Sequence, residues 1–137
     1  MLSFVLSACA SEDGGGSGAT PAQDPAALEG HEWALDSLLG TGGQDETVSV
    51  SVTATFDGST ISGNSGCNQY NATYEATGDQ ISFGPIAGAL MACPDPAGST
   101  EQQYLALLDG VATYAVDGST LTMFDADGTS VLRYASS

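Results

Sequence analysis

Apolar and polar residues alternate along much of the chain from Trp33 onward. In Val48–Phe56 every second residue is apolar, and the residues between them are Ser or Thr. A period of two is typical of a strand that turns one face to a core and the other to water. The pattern predicts strands at residues 32–38, 48–56, 60–64, 71–76, 80–84, 87–92, 112–117, 120–125 and 130–135.

Turn signals separate these segments. Asp57–Thr60 and Asp117–Thr120 both read Asp-Gly-Ser-Thr, and Thr77–Asp79 has the same character. Because Gly adopts positive φ readily and Asp tolerates it, these positions predict tight hairpin turns. The strands should therefore pair in antiparallel order.

One segment has helical spacing instead. Ser99 followed by Gln102 matches the S-x-x-Q capping box, and Gly110 is suited to end the helix. The apolar stripe between them consists of Tyr104, Leu105, Leu107, Leu108 and Val111. We therefore predict a β-rich α+β domain, a strongly curved antiparallel sheet or partly open barrel of short hairpins with this helix over one opening.

The charge balance excludes two kinds of partner. The 137 residues, room for one domain, include 17 acids, no lysine and a single arginine, Arg133, for a net charge of −16. Such a surface is repelled by phosphate backbones, so we expect no binding to nucleic acid. It also cannot dock on anionic lipid through charge. We expect a monomer whose acidity serves solubility.

The first residues resemble the end of a bacterial lipoprotein signal peptide. Leu6-Ser7-Ala8-Cys9 has the lipobox pattern of an apolar residue, two small residues and a cysteine. The interpretation is a truncated signal at residues 1–9 with a lipid on Cys9 as the membrane anchor, since the eight preceding residues include no base. The alternative is a chance cysteine at a frayed terminus.

Residues 10–28 are predicted to be a flexible linker. They contain Gly14–Gly18, with one Ser among four Gly, followed by Pro21 and Pro25. Such a composition behaves as a coil that would hold a domain away from a membrane. A merely disordered terminus would have the same composition. The folded domain is then assigned to residues 29–137.

Several motifs in that domain resemble the META domain family, the HslJ-like bacterial envelope lipoproteins. They are Ser62–Asn71 with its Gly-Cys-Asn, Met91–Pro94 with its Met-Ala-Cys, the opening Trp33–Leu35 and the terminal Val131–Tyr134. The resemblance implies a small extracytoplasmic domain of the cell envelope, often lipid-anchored and linked to stress. It brings no general catalytic activity and no cofactor.

Cys67 and Cys93 form an even pair if Cys9 carries a lipid. In an exported protein such a pair favours a disulfide. Two reduced, buried thiols are the alternative. A reactive thiol is disfavoured because no lysine and no nearby histidine would lower its pKa.

The Gly-Asn-Ser-Gly run before Cys67 requires backbone freedom. One interpretation is a binding rim formed by Asn64, Asn68 and Tyr70. The other, which we prefer, is a strained corner or bulge between two strands.

Metal and catalytic signals are weak. His31, the single histidine, is expected on the surface, and the sequence has no CxxC pattern for zinc. Asp125–Gly128 begins like a calcium loop but lacks its terminal Glu, so it is interpreted as a turn. Glu75 and Glu101 have no spatial warrant as a hydrolytic pair.

Three functional hypotheses remain. The first is a non-enzymatic envelope module that binds an unknown protein or small ligand. The second is a secreted inhibitor of a basic hydrolase such as lysozyme, toward which the net charge of −16 would steer it. An enzyme acting on cell-wall sugars is the least favoured, since no nucleophile and base can be named.

Overall fold

Antiparallel strands dominate the computed structural model, which describes residues 24–88 and 91–136. The strands are β1 Glu32–Leu39, β2 Asp45–Thr47, β3 Thr53–Asp57, β4 Thr60–Asn64, β5 Gln69–Thr77, β6 Gln80–Phe83, β7 Ala87–Gly88, β8 Val111–Asp117, β9 Thr120–Asp125 and β10 Ser130–Ser136. One α-helix, α1, spans Ala97–Asp109, and a 3-10 turn spans Pro25–Leu28. The β-rich fold class with a single α-helix is confirmed within this part of the chain.

The sheet closes on itself. Its order is β10-β9-β8-β6-β5-β4-β3-β1, and β1 also pairs with β10 from Trp33↔Ser136 to Leu38↔Leu132. Eight strands therefore form a closed antiparallel barrel. The two remaining strands are short additions, because β2 pairs with β1 beyond the end of β3, and β7 pairs with β5 beyond the end of β6.

Three hairpins confirm the predicted turns. The pairs Asp57↔Thr60, Thr77↔Gln80 and Asp117↔Thr120 each enclose a two-residue loop. The first loop residue is a glycine with φ between 60° and 67° in every case. Only a turn with positive φ at this position matches the right-handed twist of the flanking strands, which explains the repeated Asp-Gly.

The alternating apolar positions fill the barrel interior. The largest fully buried side chains include Trp33, Phe56, Tyr104, Tyr114 and Tyr134. Burial of such aromatic surface is the main favourable term in folding a domain of this size. The barrel is thus a packed core.

Each end of the barrel is covered. At the end where β1 begins, Leu28 of the 3-10 turn is fully buried, and its carbonyl accepts a hydrogen bond from Trp33 Nε1 at 3.0 Å. The 3-10 turn belongs to the stretch that the sequence assigns to a linker, so the last residues of 10–28 pack with the domain. At the other end α1 contributes Tyr104 and Leu108 to the core.

The predicted strand 48–56 is wrong in its first half. The chain pairs with β1 twice, through β2 and then through β3, and residues 48–52 bulge between them. Val48 N–H donates to the Asp36 carbonyl at 3.2 Å, and Leu35 N–H donates to the Val52 carbonyl at 2.8 Å. Val48 and Val50 are half-buried despite the bulge, which is why the alternation extends beyond the strand.

The predicted strand 87–92 is also wrong at Met91 and Ala92. Residues 89 and 90 lie outside the described part, and Met91–Pro94 has no regular structure. Side chains replace a strand partner here, because Asn68 binds the backbone of Met91 and Cys93 is bonded to Cys67.

The predicted capping box is wrong as well. The helix begins at Ala97, so Ser99 lies inside its first turn. The Ser99 N–H is satisfied by Asp95 Oδ1 at 3.1 Å, and the Ser99 hydroxyl donates to the Pro96 carbonyl. Asp95, four residues before Ser99, therefore provides the hydrogen bond at the helix start that the sequence pattern predicts from Ser99 and Gln102.

The predicted signal peptide at residues 1–9, with Cys9, and most of the predicted linker lie outside the described residues. No helix among residues 24–88 and 91–136 is long and apolar enough to cross a bilayer.

Candidate functional site at the helix end of the barrel

A disulfide joins Cys67 and Cys93 at the end of the barrel that α1 covers. Cys67 lies in the loop between β4 and β5, and Cys93 lies in the segment that leads into α1. Their Cα atoms are 5.9 Å apart, within the usual range for a disulfide. The prediction of a paired bond rather than two free thiols is confirmed.

Glu101 of α1 holds the same loop. Its carboxylate accepts hydrogen bonds from the Ser65 hydroxyl, from the Asn68 N–H at 3.2 Å and from Asn68 Nδ2 at 3.0 Å. Ser65 and Asn68 are the buried polar residues of the described core, and this carboxylate satisfies both. Every donor in this set is neutral, so the carboxylate is solvated by the loop and its charge is not cancelled.

The amide side chain of Asn68 also acts as a strand partner. Its Nδ2 donates to the Met91 carbonyl at 2.9 Å, and its Oδ1 accepts from the Met91 N–H at 3.3 Å. This two-way pairing keeps the Met91–Cys93 segment against the β4–β5 loop. The disulfide and the amide therefore restrain one segment together.

The three residues of the predicted binding rim have internal partners. Asn64 Oδ1 accepts from the Gly66 N–H at 2.7 Å and shapes the loop, in which Gly66 has a φ of 105°. Asn68 is buried, and Tyr70 is 3% exposed with its ring inside the barrel. Of the three, Tyr70 contributes to the wall of an open cleft.

Two clefts meet at Glu101. The smaller, of about 90 Å³, lies between Tyr70, Ile86, Gly88, Glu101 and Leu105. The larger, of about 250 Å³, is also lined by Glu101. Its lining residues are Met91, Ala92, Cys93, Gly98, Glu101 and Gln102. We call the pair the Glu101 groove.

A line of tyrosine hydroxyls crosses the core behind this groove. Tyr70 donates to the Thr53 carbonyl at 2.9 Å, and its oxygen lies 2.7 Å from that of Tyr104, which lies 2.9 Å from that of Tyr134. Since each phenol has one hydrogen, Tyr104 must donate to Tyr70, and Tyr134 must donate to Tyr104. Burial raises the pKa of all three phenols well above the ordinary value of 10.0.

Other candidate residues lie apart from the groove. His31 is exposed, as expected, and its ring centroid lies 5.2 Å from that of Trp33. Asp125 Oδ1 accepts from the N–H groups of Asp127 and Thr129, which confirms a turn there. Glu75 lines a separate cleft at the β6–β8 seam, so it does not share a site with Glu101. In the described residues, no group of three or more His, Cys, Asp or Glu is placed to hold a metal ion.

A model of the META domain matches residues 26–137, which is most of the chain. The chain belongs to the META domain family. The resemblance inferred from the Gly-Cys-Asn and Met-Ala-Cys motifs is therefore confirmed, and both motifs lie at the groove. A search of curated proteins finds no match.

Solved structures share this META fold. An NMR structure of a protein from Burkholderia xenovorans is 25% identical, with a TM-score of 0.70 over 95% of this chain and 99% of that one. A second NMR structure is 21% identical, with a TM-score of 0.62 over 82% and 94% of the two chains. A crystal structure of a DUF4847 family protein from Bacteroides vulgatus is 16% identical, with a TM-score of 0.50 over 61% and 57%.

Sequence reasoning missed the main roles of Ser65 and Glu101 in this META domain. The sequence alone gives Glu101 no partner, because its contact with the β4–β5 loop spans 36 residues of sequence. Tyr104 was assigned to core packing, but the hydroxyl partners were not predicted. The one available signal was the recurrence of Tyr at inward strand positions, where a buried hydroxyl requires a partner.

Proposed function

We propose that the protein is a non-enzymatic binding or scaffolding domain of the bacterial envelope, anchored by a lipid on Cys9 and active in a stress response. The observation that carries the proposal is the Cys67–Cys93 disulfide. Disulfides persist in oxidising compartments and are rare in the cytosol. The bond therefore favours a domain that works outside the cytoplasm.

The sequence before the domain supports the anchor. Leu6-Ser7-Ala8-Cys9 has the residue types of a lipobox, and the Gly-rich segment after it would act as a tether. With a net charge of −16, attachment through a polybasic surface is not available to this chain. A covalent lipid is the anchor that fits this charge.

The chemistry of the helix end supports a binding role over a catalytic one. The polar side chains at this end form hydrogen bonds with one another, between Glu101 and both Ser65 and Asn68. A nucleophile must reach a substrate, and the Ser65 hydroxyl, which is fully buried, is held in internal hydrogen bonds. What the domain offers to a partner is its acidic surface and the Glu101 groove.

Labelled palmitate tests the anchor. We expect the protein expressed in its native host to incorporate the label and to fractionate with membranes. The Cys9→Ser variant should lose the label and appear in the soluble fraction, while the Cys67→Ala/Cys93→Ala control should retain the label. Label that survives Cys9→Ser would rule out the proposed attachment.

A second candidate is inhibition of a basic hydrolase. The net charge of −16 favours it, since it would accelerate encounter with a cationic enzyme. An assay of lysozyme activity with added protein should show inhibition at low salt that weakens as salt screens the charges. Full lysozyme activity at low salt would contradict the inhibitor function and would not affect the proposal of an anchored binding domain.

A further inference from the structure

Within the described part of the chain, Glu101 is a half-buried carboxylate with no cationic partner. Among residues 24–88 and 91–136 its partners are the hydroxyl and amide donors of Ser65 and Asn68. The chain has no lysine, and its one arginine, Arg133, lies on the outer face of β10. A partly desolvated carboxylate gains stability from an added positive charge, and here that charge has to come from another molecule.

The smaller cleft beside Glu101 fits an aliphatic chain. Ile86 and Leu105 are half-buried and supply apolar lining, and Tyr70 also contributes to the wall. At about 90 Å³ it is well below the roughly 300–1,000 Å³ of pockets that enclose whole small molecules. A cleft with apolar walls and a carboxylate at its mouth suits a side chain that buries a methylene stem and carries a charged tip.

The hydrogen bonds that Glu101 already makes determine whether lysine or arginine fits it better as a partner. Among the described residues, Oε2 accepts from Ser65, from the Asn68 N–H and from Asn68 Nδ2, whereas Oε1 accepts from Asn68 Nδ2 alone. A guanidinium bonds best to both oxygens of a carboxylate at once. An ammonium needs a single acceptor direction and can rotate its donors toward it. The arrangement therefore favours lysine over arginine.

We propose that the Glu101 groove binds a lysine side chain of a partner protein. The lysine stem lies in the smaller cleft between Ile86 and Leu105, and its ammonium donates to Glu101 Oε1. The residues that flank the lysine lie along the larger cleft, where Met91 is 65% exposed. The inference rests on the binding role proposed above and adds the chemistry of the partner.

Titration of the full-length, ¹⁵N-labelled protein with Nα-acetyl-lysine N-methylamide tests the proposal by NMR. We expect saturable shifts at the amides of Asn68 and Leu105, with a millimolar dissociation constant. The norleucine analogue has the same stem without the charge and should bind about tenfold more weakly, which corresponds to the loss of one modest charge contact. The arginine analogue should also bind more weakly than lysine.

Three variants make the test specific. Glu101→Gln should weaken lysine binding about tenfold, a modest loss of one charge contact. Because that change also alters the β4–β5 loop, Leu105→Trp provides a second route, since it fills the cleft and leaves the carboxylate in place. Glu75→Gln removes an equal charge from a separate cleft and should leave lysine binding unchanged.

Two results would overturn the proposal. One is equal binding of lysine and norleucine, which would mean that Glu101 contributes nothing. The other is a set of shifts spread over carboxylates throughout the surface, which would mean general attraction to the net charge. Neither result bears on palmitate incorporation at Cys9, so this inference and the anchored role can fail separately.

Discussion

At the scale of single residues, a few polar atoms organise an otherwise apolar interior. Tyr134, Tyr104 and Tyr70 pass hydrogen bonds in one direction to the Thr53 carbonyl. Each hydroxyl is buried, so each donor needs the acceptor ahead of it. The line fixes the position of α1 relative to β5 and β10 more specifically than apolar contact would.

Tyr104→Phe should lower the free energy of unfolding by about 1–3 kcal/mol, because it leaves the buried Tyr134 hydroxyl without an acceptor. Tyr134→Phe is the matched control. It removes the first donor of the line and leaves no other hydroxyl without an acceptor. It should therefore lower the free energy of unfolding by only about 0.5–1.5 kcal/mol. Urea unfolding measures both. Equal costs, or a larger cost for Tyr134→Phe, would contradict the deduced direction of the bonds.

At the scale of elements, the ribbon from β2 to β4 shows how close backbone approach shapes the barrel. Both β2 and β3 lie along β1, with the bulge at 48–52 between them. At Gly63 of β4, a Cβ atom would collide with the Thr53 carbonyl oxygen. A residue without a side chain is therefore required in β4 beside Thr53, where the chain leaves the bulge.

Gly63→Ala should destabilise the protein by about 1–3 kcal/mol, the usual cost of forcing extra volume into a packed site. Gly42→Ala is the control, since a Cβ there meets nothing within 4 Å and should change stability by less than about 0.5 kcal/mol. Thermal unfolding of the two variants gives the comparison. If both variants unfold at the same temperature as the unaltered protein, the close approach at Gly63 does not constrain the fold.

At the scale of the whole molecule, the barrel has one sparsely paired seam. β6 and β8 share a single registered pair, Gln80↔Thr113, because a long connection with α1 takes the place of a hairpin between them. The disulfide and the Glu101 contacts both attach that connection to the β4–β5 loop. The molecule depends on them where the strand ladder is weakest.

Removal of the disulfide should therefore be costly. Cys67→Ala/Cys93→Ala should lower the free energy of unfolding by about 3–4 kcal/mol, as expected for a bond that closes a span of 26 residues. Cys9→Ser should leave stability unchanged, since Cys9 precedes the folded domain. Urea unfolding under non-reducing conditions measures both. An unaltered midpoint for the double variant would show that the hydrogen bonds suffice.

Alkaline pH should also unfold the protein. Burial raises the pKa of Tyr70, Tyr104 and Tyr134 above 10.0, so the unfolded chain loses these protons at lower pH than the folded one. Stability is then fully present below pH 10.0 and falls above it, at about 4 kcal/mol per pH unit while all three phenols stay protonated in the folded state. Unfolding followed together with phenolate absorbance should show one cooperative step. Gradual ionisation of a folded protein near pH 10.0 would contradict this.

Much of the fold follows from local sequence. Alternation identified most strands, and a glycine after Asp57, Thr77 or Asp117 placed three hairpin turns, because both signals depend on neighbouring residues. The same local rules failed at residues 48–52, at Met91–Pro94 and at Ser99. At each of these positions the backbone is bound by a distant group or by an unexpected side chain, so local preference does not decide it.

The sequence alone predicted most of the strands, the helix and the resemblance to the META family, and it favoured a bond between Cys67 and Cys93 over two free thiols. Three features became visible in the folded molecule alone: the closure of the sheet, the contact of Glu101 with the β4–β5 loop, and the alignment of three tyrosine hydroxyls. The reason is that periodicity tells which face of an element is buried, while a contact between distant residues depends on where closure of the barrel places them.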